Sequence, residues 1–169
     1  MSMIFILRQI DAEDIQQLSN NPQSILDMLN EDVQVDEVKL AMETDLDKAW
    51  HAIHYLLTGS AWGGELPLAY LIQGGQDVGD VDVGYGPARI LKPGEVQNWH
   101  QALSTTTADD LRQRFDPQAM MQAQIYPNIW NRDPAEDDTL GYVLGYFAEL
   151  KFFVEEASSQ NKGIVIYCQ

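Results

Sequence analysis

His51 and His54 stand three residues apart in Trp50-His-Ala-Ile-His54. On a helix that spacing brings two imidazoles to one face, where they can converge on a metal ion. Two ligands do not close a shell. The chain has no His-Glu-x-x-His pattern, and Asp47, one turn before His51, is the carboxylate best placed to help. A metal site is therefore the weakest functional reading, and no resident metal or cofactor is expected. His54 also shares its face with Trp50 and Leu57, where the ordinary role is a core histidine with one ring nitrogen hydrogen-bonded.

A second constellation is Gly84-Tyr-Gly-Pro-Ala-Arg89. Glycines around an aromatic residue, then proline and an arginine on a strand, fix a tight path and bring a guanidinium near a phenol. Two readings are open. In one, Arg89 holds a carboxylate or phosphate bidentately while Tyr85 orients it. In the other, a buried Arg89 pairs with one of the chain's many carboxylates and locks the loop. Ile125-Tyr-Pro-Asn-Ile-Trp130 is another aromatic, proline-fixed loop, of the kind that lines ligand pockets or plugs a core. Taken together, His54, Tyr85, Arg89, Tyr126 and Trp130 make a candidate small-molecule pocket, with His54 as its acid–base group.

Other chemistries lack their parts. Thr58-Gly-Ser60 and Gly63-Gly64 offer backbone N–H groups to an anion, but no Lys or Arg lies between residues 49 and 88 to neutralise it. No Gly-x-Ser-x-Gly elbow is present, and Cys168 has no base near it in sequence. No catalytic residue is assigned.

The elements that must position these residues follow from local signals. Met3–Leu7 reads as a strand, and Asp11 with Asp14 caps a helix over about 11–19. Pro22 suits the start of a short helix through Asn30. From Asp45, apolar residues at helical spacing predict a helix that stops at Gly59. The apolar run 66–72 reads as a short buried helix, and 77–86, rich in Gly and Asp, as a surface loop. Ala88–Leu91 is a candidate strand. Helices are expected from Pro93, from Thr107 through Phe115, and from Asp116-Pro117 through about Ala123. Residues 137–159 carry a wide apolar stripe and should form the scaffold helix. Within it, Gly141 and Gly145 suggest close approach by a neighbouring element. Ile164–Tyr167 is a β-type run suited to an interior strand. The segment 31–44 fits no period. The expected fold is α+β: a mostly helical single domain over 1–169, with a small sheet built from the N- and C-terminal strands and residues 88–91 as a candidate addition.

Composition bounds the function. The chain has 169 residues, 26 acidic against 10 basic, one cysteine and a formal charge of −16. That length supports one core without a staple, and a single cysteine points to a reducing compartment, the cytoplasm. No signal peptide and no membrane span is expected from the sequence. Nucleic acid is an unsuitable partner, because phosphate binding needs clustered Lys and Arg. Half of the negative charge falls in residues 1–50, and such charge suits a basic protein partner.

The string Asp45-Leu-Asp-Lys-Ala-Trp50…His54-Tyr-Leu-Leu-Thr-Gly59, with Tyr85-Gly-Pro-Ala-Arg89, Leu111-Arg-Gln-Arg-Phe-Asp-Pro117 and Ile125-Tyr-Pro…Trp130, resembles the YfbM-like family of bacterial proteins. The likeness spans nearly the whole chain and is weakest at 31–44. It implies a soluble bacterial α+β domain of unknown function and no catalytic residues. The leading expectation is thus a non-catalytic acidic binding or regulatory protein, of the immunity type. The alternative is a small-molecule-binding protein or enzyme with a pocket around Tyr85, Arg89 and His54.

Overall fold

The computed structural model describes residues 2–30 and 42–169. β1 (Phe5–Ile10) runs into α1 (Ala12–Asn20). Asp11 and Asp14 form the predicted capping box: the Asp14 amide donates to Asp11 at 2.8 Å and the Asp11 amide to Asp14 at 3.2 Å. Next come α2 (Ser24–Asn30), β2 (Glu43–Asp45) and α3 (Trp50–Thr58), the last ended by Gly59 in the left-handed conformation. A hairpin of β3 (Gln76–Asp82) and β4 (Pro87–Leu91) leads to α4 (Pro93–Ser104). α5 (Ala108–Arg114) starts at a Thr107/Asp110 box, and α6 (Pro117–Gln122) has Asp116 as its cap and proline at its first position. The chain closes with α7 (Thr139–Ser159) and β5 (Gly163–Cys168).

The sheet is antiparallel in the order β2-β1-β5-β4-β3, so the two chain-end strands lie side by side within it. Leu7 and Arg89 both register with Ile166, from opposite sides of β5. Alternation then sorts the side chains between two faces. Leu7, Leu91, Ile164 and Ile166 join a large core with Trp50, Trp99 and Phe147. Ile10, Ala88, Ile90, Val165 and Tyr167 join a smaller one with Leu18 of α1 and Ile25 of α2. Because both faces are covered, β5 is apolar at every central position instead of alternating. α7 contributes Val143, Phe147, Leu150, Val154 and Ala157 at alternating spacings of four and three, all buried, and packs mainly on α4. Among the described residues no helix is long and apolar enough to cross a membrane.

The fold is α+β as expected, but three local expectations are corrected. Residues 77–82 belong to strand β3, not to a surface loop, because Val78 and Val81 bury against the α1–α2 side. The 66–72 run is a chain of turns, not a helix, for a reason that lies in Arg89 and is given below. Among the described residues no neighbouring element approaches the glycines of α7: a Cβ at Gly145 would meet open space, and one at Gly141 would meet only its own cap, Asp138. Of the 31–44 segment, residues 31–41 lie outside the described residues, while 43–45 form the short edge strand β2.

Candidate functional site

α3 turns both of its histidines inward, and each is fully buried. The Tyr126 amide donates to His51 Nδ1 at 2.9 Å, so the ring proton sits on Nε2, which donates to the Ala61 carbonyl at 2.7 Å. The imidazole stacks on Trp50, 4.9 Å away, and also meets Trp62, 4.3 Å away, the three rings forming one cluster. His51 is thus a strut that ties two loops to one helix. His54 donates from Nε2 to the Gly63 carbonyl at 2.8 Å, and its buried Nδ1 has no partner among the described residues. Among the described residues no three His, Cys, Asp or Glu side chains gather as a metal site. Asp47 instead accepts from the Tyr142 hydroxyl at 2.8 Å.

Burial holds both imidazoles below their ordinary pKa, His54 down to about 4; the Gly63 contact opposes this, and the charges of His51 and Arg89 add to it. An unfolded His54 takes up its proton near pH 6.5. Between pH 6.5 and about 4 the unfolded chain therefore binds more protons than the folded one, and stability present above that window is lost as the pH falls through it. We expect a loss of about 2–3 kcal/mol from His54 across the window. Denaturant melts of wild type and His54→Gln from pH 7.5 to 4 measure it, because subtracting the two profiles cancels the effect of net charge. A difference that stays flat with pH would show that His54 does not titrate on unfolding.

Arg89 points from β4 into the large-core side, but its partners are not carboxylates. Nη1 donates to the carbonyls of Tyr70 and Gly74 at 3.0 and 2.9 Å, and Nη2 to that of Leu71 at 2.6 Å. Burial lowers its pKa to about 10 against the opposing pull of Asp77, and the guanidinium stays charged at neutral pH. Residues 66–74 fold as turns because the carbonyls of Tyr70, Leu71 and Gly74 converge on this one fork, which the parallel carbonyls of a helix could not do. Tyr85 is at the tip of the β3–β4 hairpin, where its ring is 44% exposed and its amide donates to the Cys168 carbonyl at 3.2 Å. Asp82 fixes that tip by accepting from the Gly84 and Gly86 amides.

Tyr126 and Trp130 occupy the loop after α6. The Tyr126 hydroxyl accepts from the Met3 amide at 3.0 Å, and its ring lies 5.7 Å from Trp50. Trp130 is 1% exposed, donates to the Ile125 carbonyl at 2.7 Å and meets Phe115 edge-on. The structure places Tyr126 against the His51 end of α3, buries His54 and half-buries Arg89 with backbone partners, and leaves Tyr85 in solvent. Of the five, Trp130 lines an apolar cleft among the described residues. That cleft, of about 620 Å³, lies between α6, the 130–138 loop and the start of α7. Its apolar lining comes from Phe115, Pro117, Met121, Trp130, Pro134 and Leu140.

These features define an acidic α+β protein whose buried histidines and central arginine are engaged by the backbone, and whose apolar cleft opens away from them. The chain belongs to the family described as a domain of unknown function (DUF1877), whose model matches residues 1–167. It is similar in structure to YfbM from Escherichia coli, itself described as a protein of unknown function, with a TM-score of 0.74, 20% identity, and coverage of 98% of this chain and 99% of that one. At that identity the likeness is one of fold. No curated protein matches the chain significantly.

Proposed function

We propose that this is a non-catalytic binding or regulatory protein, of the immunity type, whose acidic surface meets a basic protein partner in the bacterial cytoplasm. One observation carries the reading: six of the chain's ten cations are bonded within the chain. Arg8 donates to the Met28 carbonyl, Arg89 to three carbonyls, Arg114 to Leu56 and Lys151 to Thr106. Among the described residues the ion pairs are Arg112 with Asp109 and Arg132 with Asp137. With 26 acidic residues against 10 basic ones, most carboxylates are left without a cation, and their summed field draws a positively charged protein and repels nucleic acid.

The test is capture of partners from the source cells at low and high ionic strength. Basic proteins should be retained at about 0.05 M NaCl and released by about 0.5 M, where charges more than a few ångströms apart are screened. Partners that stay bound across that range would contradict the electrostatic reading.

A further inference from the structure

The apolar cleft is built as a seat, and its surroundings say what would sit there. Its floor is held rigid, since Trp130 is fixed by the Ile125 carbonyl and packs edge-on to Phe115. Its volume, about 620 Å³, falls within the roughly 300–1,000 Å³ of ordinary binding cavities. Of the polar groups in the lining, the Trp130 N–H is engaged by Ile125, Arg132 by Asp137 at 2.8 Å, and Asp138 by the Gly141 amide at 2.9 Å, which leaves the neutral side chains of Gln118, Asn131 and Thr139. The segments that carry the lining are acidic. Asp116, Asp133, Glu136, Asp137 and Asp138 lie in or within two residues of it, against Arg114, which donates to the Leu56 carbonyl, and Arg132, which pairs with Asp137, so the other four carboxylates have no ion pair among the described residues. Asp116 and Asp133 are each held in place by a backbone amide, those of Ala119 and Ala135.

We propose that this cleft seats a bulky apolar side chain from a cationic amphipathic segment of the partner, with the carboxylates of the lining segments meeting its lysines and arginines. The inference rests on the basic-partner reading and deepens it by naming the place and the anchor. Groove recognition of this kind takes affinity from the apolar anchor and register from the flanking charges.

The probe is a synthetic amphipathic lysine/leucine helix bearing one tryptophan, compared by fluorescence anisotropy with a scrambled peptide of identical composition. Wild type should bind the amphipathic peptide about tenfold tighter than the scrambled one. Met121→Glu and Pro134→Glu add negative charge and so keep the long-range attraction, yet each removes apolar lining. Both should abolish the preference and leave the residual binding salt-sensitive. Pro134 is exposed, so its variant keeps the fold even if burial of the new carboxylate at Met121 does not allow it. A preference that survives in both variants overturns the cleft proposal, while salt-sensitive binding of both peptides would leave the basic-partner reading standing. No binding of either peptide at low salt overturns both. Salt-independent binding of indole that Pro134→Glu abolishes, or a dimer that the same substitution dissolves, would assign the cleft to a neutral small molecule or to a second copy, and would equally overturn the proposal.

Discussion

Arg89→Ala should unfold at a markedly lower denaturant concentration, with a loss of about 3–5 kcal/mol and an unchanged slope. The substitution removes a charged fork that donates to the carbonyls of Tyr70, Leu71 and Gly74, so three acceptors of one turn segment lose their donor together. Hydrogen bonds from a charged group contribute more than neutral ones, and leaving their buried acceptors unmade costs about 1–3 kcal/mol each before water enters the vacated space. Arg89→Lys should lose roughly half as much, because a single ammonium cannot match the planar fork. A loss under about 1 kcal/mol in Arg89→Ala would instead mean an arginine in an open pocket, free to hold an anionic ligand.

His51→Ala carries an effect of similar size for a related reason. The imidazole accepts from the Tyr126 amide and donates to the Ala61 carbonyl while packing against both Trp50 and Trp62. Removing it leaves a donor and an acceptor unpaired and opens a cavity, and the sum should reach about 3–5 kcal/mol in a denaturant melt. His51→Phe restores the stacking but neither hydrogen bond, so it should recover only the cavity part. Should both variants melt like wild type, the strut role would be wrong.

What the sequence makes legible here is mostly short-range. The Asp11/Asp14 and Thr107/Asp110 boxes and the Asp116-Pro117 start form as read, because a cap is made between residues three apart and needs nothing from the rest of the fold. α7 and β5 are legible because burial imposes a period, or an unbroken apolar run, on the chain itself. The failures are tertiary. The 66–72 run has a helix's composition, yet its carbonyls are claimed by an arginine 15 to 19 residues further on, a partnership no local pattern announces. β3 is hidden because its buried residues fall three apart, within a register shift between Asp77 and Asp82, instead of alternating. Gly79 is itself required there: its φ is +53°, and a Cβ would come within 2.8 Å of Pro22. The candidate site divides the same way. The aromatic loop 125–130 is visible in sequence, but the cleft it lines draws on segments that only the fold brings together.

The most direct test of the account is the ionic-strength dependence of association between this protein and the basic partner proposed for it. If the acidic surface steers the encounter, the association rate constant should fall at least about tenfold between roughly 0.02 and 0.2 M NaCl, while the dissociation rate, set by the seated contacts, changes little. An association rate that stays flat across that range would contradict the claim that this protein's charge is what brings its partner to it.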